Sequence, residues 1–235
     1  MGSVIMNCGN IAAGPVTGMP FSAQEITQKR LIMPNGSIIT QMVKALIARD
    51  AMGRSWRQML PTVAPGQPPL PSLTMISDPI AGYRYLLQSG LIAIRSRLPD
   101  GGQLPGQPSL SGVMPGAGGA SVPGSPQELG ERMIEGFLAK GTRYTTMVPP
   151  SITGATQAVQ MVTESWCAKD LGAVLHNSYS DPRIGEITTR LTGIQQAHPP
   201  SNLFQVPSNY RIVDSVPSAP AAPQINAPAF RAPSL

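Results

Sequence analysis

The sequence is poor in charged and aromatic residues. Of its 235 residues, 12% are charged and 5% are aromatic. The 17 Lys and Arg against 12 Asp and Glu give a net charge of +5, but the bases occur singly or in pairs such as Lys29-Arg30. A nucleic-acid footprint needs a clustered basic patch or a known module. We therefore expect basic residues on solvated strand faces and no nucleic-acid partner.

Long hydrophobic runs are also missing. The sequence has no stretch of about 18 apolar residues, so it predicts no transmembrane helix. The first residues, MGSVIMNCGNIAAGPVTG, are small like those of a signal peptide but lack a basic n-region. We interpret this start as that of a mature or truncated chain, with the export signal not visible.

Cysteine is almost absent. Cys8 and Cys167 are the two cysteines, and their separation excludes a CxxC redox motif, a zinc knuckle and a CxxCH haem attachment. In an oxidising compartment they can pair within the chain or between subunits, and they can equally be two unrelated thiols. The spacing leaves these alternatives open.

Catalytic and cofactor signatures are absent as well. No G-x-S-x-G, P-loop or dinucleotide fingerprint occurs. His176 and His198 have no H-x-H or H-E-x-x-H spacing, and Glu164 and Glu186 stand among strand-like residues that place each on an exposed face. The sequence therefore predicts no catalytic residue, no metal site and no cofactor, and a protein that is not an enzyme.

What the chain does have is proline and glycine, 26 and 24 residues, well above average usage. They concentrate in three segments that cannot sustain a helix or a ladder. We predict an extended N-terminal segment (1–19), a β domain (20–214) with a flexible insertion (99–126), and a Pro/Ala-rich tail (215–235). The three Pro/Gly-rich segments are residues 60–71, 99–126 and 215–235.

Between these segments the chain has the composition of β-strands. Residues 37–49 are rich in Ile and Val, residues that favour strands. Tyr83, Tyr85 and Leu87 share one strand face, and the turn at Ser89-Gly90 predicts a hairpin. Residues 125–141 are ambiguous: Ser125 and Glu128 have capping-box spacing, but two glycines disfavour a helix.

The six-residue pattern Ser-Asp-Pro-x-x-Gly occurs twice, as SDPIAG (77–82) and SDPRIG (180–185). Asp caps the following amides, Pro sets φ near −65°, and Gly accepts the positive φ that closes a turn. A catalytic role would require a base or nucleophile nearby in sequence, and neither copy has one. We interpret both copies as turns between strands, formed by Asp78, Pro79, Gly82, Asp181, Pro182 and Gly185.

The C-terminal half resembles a family of bacterial envelope proteins. The family pattern TExWYSPEL, SDPRxGETTYRLTNI and LFxVPxxY is matched here by TESWCAKDL (163–171), SDPRIGEITTRLTGI (180–194) and LFQVPSNY (203–210). Looser matches are RDAMGRSWRQML (49–60), ISDPIAGYRYLL (76–87) and LGERMIEGFLAKGTRYTTMVP (129–149). Cys167 stands where the family has Tyr, and Gly193 where it has Asn.

The family is similar in fold to the half-barrels of lipoprotein carriers and RseB-type stress sensors. The resemblance thus implies a single curved antiparallel sheet, makes residues 125–141 a hairpin, and implies an exported protein of the periplasm or cell exterior. It implies binding of an apolar ligand or protein partner and no reaction. The alternative is a self-assembling subunit of an extracellular filament or surface layer, held by its terminal segments through strand addition.

Overall fold

The part of the chain that the structure describes is almost entirely β-strand. The structure is a computed structural model that describes residue 8 and residues 15–33, 35–61, 72–98, 122–123, 125–153 and 156–215. Helix in these ranges is limited to α1 (Pro150–Thr153) and to 3-10 turns at Lys169–Leu171 and Ser201–Phe204. No helix among these residues is long and apolar enough to cross a membrane.

The strands are β1 (Phe21–Ile32), β2 (Ile38–Arg49), β3 (Ser55–Met59), β4 (Thr74–Asp78), β5 (Tyr83–Gln88), β6 (Ile92–Arg97), β7 (Val122–Pro123), β8 (Gln127–Ile134), β9 (Phe137–Val148), β10 (Val159–Ala168), β11 (Ala173–Asp181), β12 (Gly185–Gln195) and β13 (Arg211–Asp214).

The strands form one sheet in the order β13-β6-β5-β4-β3-β2-β1-β12-β11-β10-β9-β7, with β8 also paired to β9. Every neighbouring pair is antiparallel except β13 with β6, which is parallel. The two ends of this path, β13 and β7, are not paired with each other, so the sheet stays open. The prediction of a mainly β protein built on one sheet that does not close into a barrel is confirmed.

Residues 125–141 form a hairpin, and the helical alternative is wrong. β8 pairs with β9 from Gln127 opposite Arg143 to Ile134 opposite Phe137. The connecting turn needs two residues with positive φ, Glu135 at 50° and Gly136 at 84°. Glycine accepts such a conformation at low cost, so the residue that argues against a helix is the one that makes the turn.

A 3-10 turn separates β10 from β11. Leu171 ends this turn, and β11 begins at Ala173. Gly172, with φ of 56°, lies between them and donates its amide to the Lys169 carbonyl at 3.0 Å. A left-handed residue closes the 3-10 turn before the strand begins.

Most of the predicted N-terminal segment and of the three Pro/Gly-rich segments lies outside the described residues. The residues concerned are 1–7, 9–14, 62–71, 99–121 and 216–235. The domain boundaries at 19/20 and 214/215 therefore stay predictions.

The buried apolar residues form two clusters. The larger one contains Phe21, Ile47, Trp166 and Leu175 and joins the strands in the middle of the order, β2 and β1, to β11 and β10. The smaller one contains Ile76, Leu87 and Ala93 on β4 to β6. The two clusters lie in different parts of the sheet, and the second one defines which face of β4 to β6 the protein covers with its own chain.

Candidate functional site

One row of side chains crosses five neighbouring strands on a single face. Residues that stand directly opposite each other in a ladder lie on the same face. Ile94 stands opposite Leu86, and Leu86 opposite Met75. Met75 stands opposite Arg57, and Arg57 opposite Ile47. We call this row, Ile47, Arg57, Met75, Leu86 and Ile94, the Leu86 face.

The opposite face of the same strands is covered by the protein itself. Ile76, Leu87 and Ala93 are 1%, 6% and 0% exposed. Val206 and Tyr210, from the segment that precedes β13, pack against them. Ile76, Leu87 and Ala93 are each next in sequence to a residue of the Leu86 face, so strand alternation assigns them to the opposite face.

The Leu86 face is less completely covered. Met75, Leu86 and Ile94 are each only partly buried, although they lie on the strands whose other face is closed. Apolar side chains therefore remain in contact with solvent across β4 to β6.

An ion pair interrupts this apolar row. The Arg57 guanidinium lies 2.6 Å from a carboxylate oxygen of Glu25, and the two side chains are 10% and 5% exposed. Arg57 donates through Nε and Nη2 to the same oxygen, at 3.2 and 2.6 Å. Since a buried charge without its partner is costly, the pair acts as one neutral unit within the face.

A second arginine flanks the row. Arg84 stands opposite Ser77 on β4 and Ser96 on β6, two residues before Leu86 on the same face. Burial lowers the pKa of the Arg84 guanidinium, and within the described residues it makes no ion pair. The Leu86 face thus combines apolar side chains with one half-buried cation.

The disulfide-forming cysteines lie at the other end of the sheet. Cys8 and Cys167 are joined within one chain, with Cα atoms 5.5 Å apart. Cys167 is on β10, and the amide of Cys8 lies 3.5 Å from the carbonyl of Gly172. Cys8 is therefore held against the β10–β11 connection.

Arg49 fastens the same region. Its guanidinium is 2% exposed and donates to the carbonyls of Met19, Leu171 and Gly172. It also lies 4.9 Å from the centre of the Phe21 ring. Burial lowers the pKa of Arg49 to about 10, so the side chain is still charged at neutral pH and connects Met19, β2 and the β10–β11 connection.

The two Ser-Asp-Pro-x-x-Gly segments are turns in the structure. Asp78 accepts the amides of Ile80 and Ala81, both at 3.0 Å, and Gly82 closes this turn with φ of 74°. Pro79 occupies the second turn position, between β4 and β5.

The aspartate of the second turn is more deeply buried than that of the first. Asp181 is 1% exposed and accepts the Arg183 amide at 2.9 Å and its Nη2 at 2.6 Å. Burial alone raises the pKa of the Asp181 carboxyl, but the hydrogen bonds and charge of Arg183 outweigh it and hold that pKa below its ordinary value. A shallow cavity next to this turn is lined by Arg30, Ile32, Ile38, Ser180, Asp181, Pro182, Gly185 and Glu186.

The remaining ionisable candidates do not converge. Glu164 pairs with Arg143 at 2.5 Å and Glu186 with Arg30 at 3.9 Å, so each carboxylate has its own arginine. Burial first, and then the charge of Arg132, lower the pKa of His176. No group of three or more His, Cys, Asp or Glu among the described residues could hold a metal ion. His198 lies in the loop that precedes the 3-10 turn at Ser201–Phe204.

Sequence reasoning missed the residues that give the Leu86 face its character. Arg57 and Glu25 are 32 residues apart and meet because β1, β2 and β3 are neighbours. The one available signal was Glu25, the single acidic residue in β1. It suggests an ion pair with a basic residue but does not show which residue that is.

No family model and no curated protein matches the sequence. Among solved structures, the chain is similar to MucB in complex with the periplasmic part of MucA, at 14% identity and a TM-score of 0.42, over 83% of this chain and 57% of that chain. It is also similar to a LolA superfamily protein from Nitrosomonas europaea (12% identity, TM-score 0.35, covering 83% and 94%). A third similar structure is the lipoprotein LppX from Mycobacterium tuberculosis (12%, 0.35, covering 77% and 90%). The chain thus spans 57% of the length of the MucB chain, and these likenesses concern the fold alone.

Proposed function

We propose that this is an exported, non-enzymatic envelope protein that binds an apolar ligand on the Leu86 face. The observation that carries the proposal is the asymmetry of β4 to β6. Ile76 and Leu87 on one face are closed by the protein's own chain, while Met75, Leu86 and Ile94 on the other stay half-buried. Burying apolar surface contributes about 25 cal/mol of free energy for each Å² removed from water. An apolar ligand that covers these side chains would gain this binding free energy.

Arg84 suggests the chemistry of one end of the ligand. It is a half-buried guanidinium on the same face whose pKa is lowered by burial, and an anionic group would offset that cost. We therefore expect an amphiphile whose apolar part contacts Leu86 and whose acidic group reaches Arg84.

The pairing of Cys8 with Cys167 supports the proposed location. Disulfides persist in oxidising compartments such as the periplasm and the cell exterior. Because this pair lies within one chain, it does not supply the link between subunits that would have favoured a filament.

The first experiment is lipid extraction and mass spectrometry of the purified protein, with binding of a fluorescent fatty acid as the solution assay. Leu86→Asn should weaken probe binding at least about tenfold, since one buried leucine contributes about 1.5–3 kcal/mol. The matched control is Leu138→Asn, because Leu138 is 50% exposed on β9. Equal binding by both variants would contradict the proposal, and a captured polypeptide in place of a lipid would make the occupant a protein partner.

A second comparison tests the role of Arg84. A fatty acid should bind more tightly than the fatty alcohol of the same chain length, and Arg84→Gln should remove that preference. An unchanged preference in Arg84→Gln would place the acidic group elsewhere.

A further inference from the structure

The end of the sheet at which β1 turns into β2 carries exposed apolar side chains. Four of them belong to this hairpin, and Ile184 belongs to the neighbouring turn between β11 and β12. The Ile32 amide donates to the Ile184 carbonyl at 3.0 Å, so the two turns lie side by side. We call these residues, Ile32, Met33, Ile38, Ile39 and Ile184, the Ile38 tip; each is between 36% and 56% exposed.

The Ile38 tip is apolar on both faces of the hairpin. Ile32 stands opposite Ile38, and Leu31 stands opposite Ile39. Because side chains alternate along a strand, these two pairs lie on opposite faces. A groove on a protein partner would cover one face and leave the other in water, whereas insertion into the surface of a bilayer covers both. The distribution of the apolar side chains therefore favours a membrane surface over a protein partner.

The backbone of the turn can enter an apolar environment at low cost. The Met33 amide donates to the Ser37 carbonyl at 2.9 Å, and the Gly36 amide donates to the Met33 carbonyl at 2.8 Å. The Ser37 amide donates to the side-chain oxygen of Asn35 at 3.0 Å. A backbone group without a hydrogen-bond partner is costly inside a bilayer, and these three amides already have their partners within the turn.

Basic residues follow directly behind the apolar tip. Residues 26–49 contain four Lys and Arg and no Asp or Glu. Lys29 forms no ion pair among the described residues. Arg30 lies 3.9 Å from Glu186, and both side chains are about half exposed. Since such surface pairs contribute little, the Arg30 guanidinium can bind an anionic group of a lipid instead.

The spacing of apolar and basic residues matches the layers of a membrane surface. A strand rises about 3.3 Å per residue, so the Cα atoms of Arg30 and Lys29 lie roughly 7–10 Å behind that of Ile32. Amphipathic segments at a membrane interface bury their apolar side chains about 5–10 Å deep. At that depth Lys29 and Arg30 are level with the headgroups, where anionic lipids attract basic residues.

We propose that the Ile38 tip docks the protein on the surface of a bilayer that contains anionic phospholipid. The apolar side chains insert at the boundary between headgroups and acyl chains, and Lys29 and Arg30 contact lipid phosphates. The apolar contacts supply most of the affinity, and the two cations add a preference for anionic lipid that weakens with salt. The docking does not depend on a ligand at the Leu86 face.

Vesicle co-sedimentation tests the apolar contact, with phosphatidylglycerol mixed into phosphatidylcholine as the probe. Ile38→Asn should bind about five- to tenfold more weakly than the unmodified chain, because the bilayer no longer covers an apolar side chain there. The matched control is Ile80→Asn, since Ile80 is 59% exposed in the turn between β4 and β5, at the end of the sheet where β2 ends. It should bind as the unmodified chain does, and circular dichroism verifies that both variants are folded.

Charge substitutions test the position of the headgroups. The double variant Lys29→Gln/Arg30→Gln should lose the preference for phosphatidylglycerol over pure phosphatidylcholine vesicles. The control Lys169→Gln/Arg97→Gln changes the net charge equally at two exposed positions on the opposite end of the sheet, and it should keep that preference. Equal losses in the two double variants would show that overall charge attracts the protein, which would contradict the assignment of Lys29 and Arg30.

A fluorescent residue at the tip measures insertion directly. In Met33→Trp, vesicles should shift the added emission to shorter wavelength, and brominated phospholipid should quench it. In Ile80→Trp the added emission should not change. The native Trp56 and Trp166 give the same background in both variants.

Four results would overturn the proposal. The unmodified chain could fail to bind anionic vesicles, or Ile38→Asn and Ile80→Asn could bind them equally. Emission of Met33→Trp already at short wavelength without vesicles would show that another part of the chain covers the tip. Loss of vesicle binding in Leu86→Asn, with full binding in Ile38→Asn, would move the contact to the Leu86 face. Failure of the ligand proposal alone would leave vesicle binding unchanged.

Discussion

At the scale of single residues, Asp78 and Asp181 show how one motif can have two different surroundings. Both accept backbone amides in a Ser-Asp-Pro-x-x-Gly turn. Asp181 in addition is almost completely buried and pairs with Arg183 at 2.6 Å. A buried carboxylate with a guanidinium partner is stabilised in its charged form, so Asp181 contributes to stability through its ionisation.

We expect Asp181→Asn to lower the free energy of unfolding at neutral pH by about 1.5–3 kcal/mol, the range for hydrogen bonds to charged groups. The folded-state pKa of Asp181 lies below its unfolded value. Its contribution is therefore fully present above the unfolded pKa of about 3.9 and is lost as the pH falls through the folded pKa. Urea unfolding at a series of pH values from neutral to acidic should show a smaller loss of unfolding free energy for Asp181→Asn than for the unmodified chain.

Asp78→Asn is the control for this measurement. It alters the equivalent turn, in which Asp78 has no arginine partner among the described residues. A pH dependence of stability in Asp181→Asn identical to that of the unmodified chain would contradict the expectation.

The turn chemistry of these residues could be predicted from sequence because it is local: Asp, Pro and Gly act on their own neighbours along the chain. The pair of Arg183 with Asp181 is also local, two residues apart. Glu25 with Arg57 could not be predicted, because their contact requires the register of three strands. The Leu86 face was missed for the same reason, since period-two alternation shows which residues share a strand face but not which strands are neighbours.

At the scale of elements, Gly185 joins two strands that are far apart in sequence. It begins β12 with φ of 112° and stands opposite Leu31 on β1. A Cβ atom added there would lie 1.8 Å from the Arg30 carbonyl oxygen. The close approach of β1 and β12 at this end of the ladder therefore requires glycine.

Gly185→Ala should lower the free energy of unfolding by about 3 kcal/mol or more, because both the positive φ and the backbone clash are unfavourable. Gly82→Ala is the matched control at the same motif position. A Cβ at Gly82 meets nothing within 4 Å, so only the strain of its positive φ, about 1–2 kcal/mol, remains. Chemical denaturation compares the two, and equal losses would mean that the β1–β12 contact relaxes around the added methyl group.

The hairpins differ in how clearly their sequences predict them. β5 and β6 follow from alternation around Ser89-Gly90, and the structure places the turn there. For β8 and β9 the apolar spacing of four residues mimics a helix, but Met133 and Phe137 lie on opposite sides of the turn at Glu135 and Gly136. Glycine content was the better predictor in that segment, since Gly136 supplies the positive φ of the turn and Gly130 the positive φ at a register shift within β8.

At the scale of the whole molecule, the strand order gives the chain many long-range contacts. β1 pairs with β12 near the far end of the domain, and the disulfide joins residues 159 apart in sequence. Loops of this length are entropically costly to close. A covalent link between the N-terminal segment and β10 limits the freedom of the unfolded chain before any strand pairs.

Breaking this link should destabilise the whole domain. In the chain-entropy treatment a cross-link over more than a hundred residues contributes about 4–5 kcal/mol, so Cys8→Ser should lower the midpoint of thermal unfolding markedly under oxidising conditions. Reductant should lower the midpoint of the unmodified chain to a similar value and leave Cys8→Ser unchanged. On a non-reducing gel the unmodified chain should run as a monomer, because the Cys8–Cys167 bond lies within one chain. A reductant-sensitive dimer band would instead show that the cysteines pair between copies, and the N-terminal segment would then link subunits and not brace its own sheet.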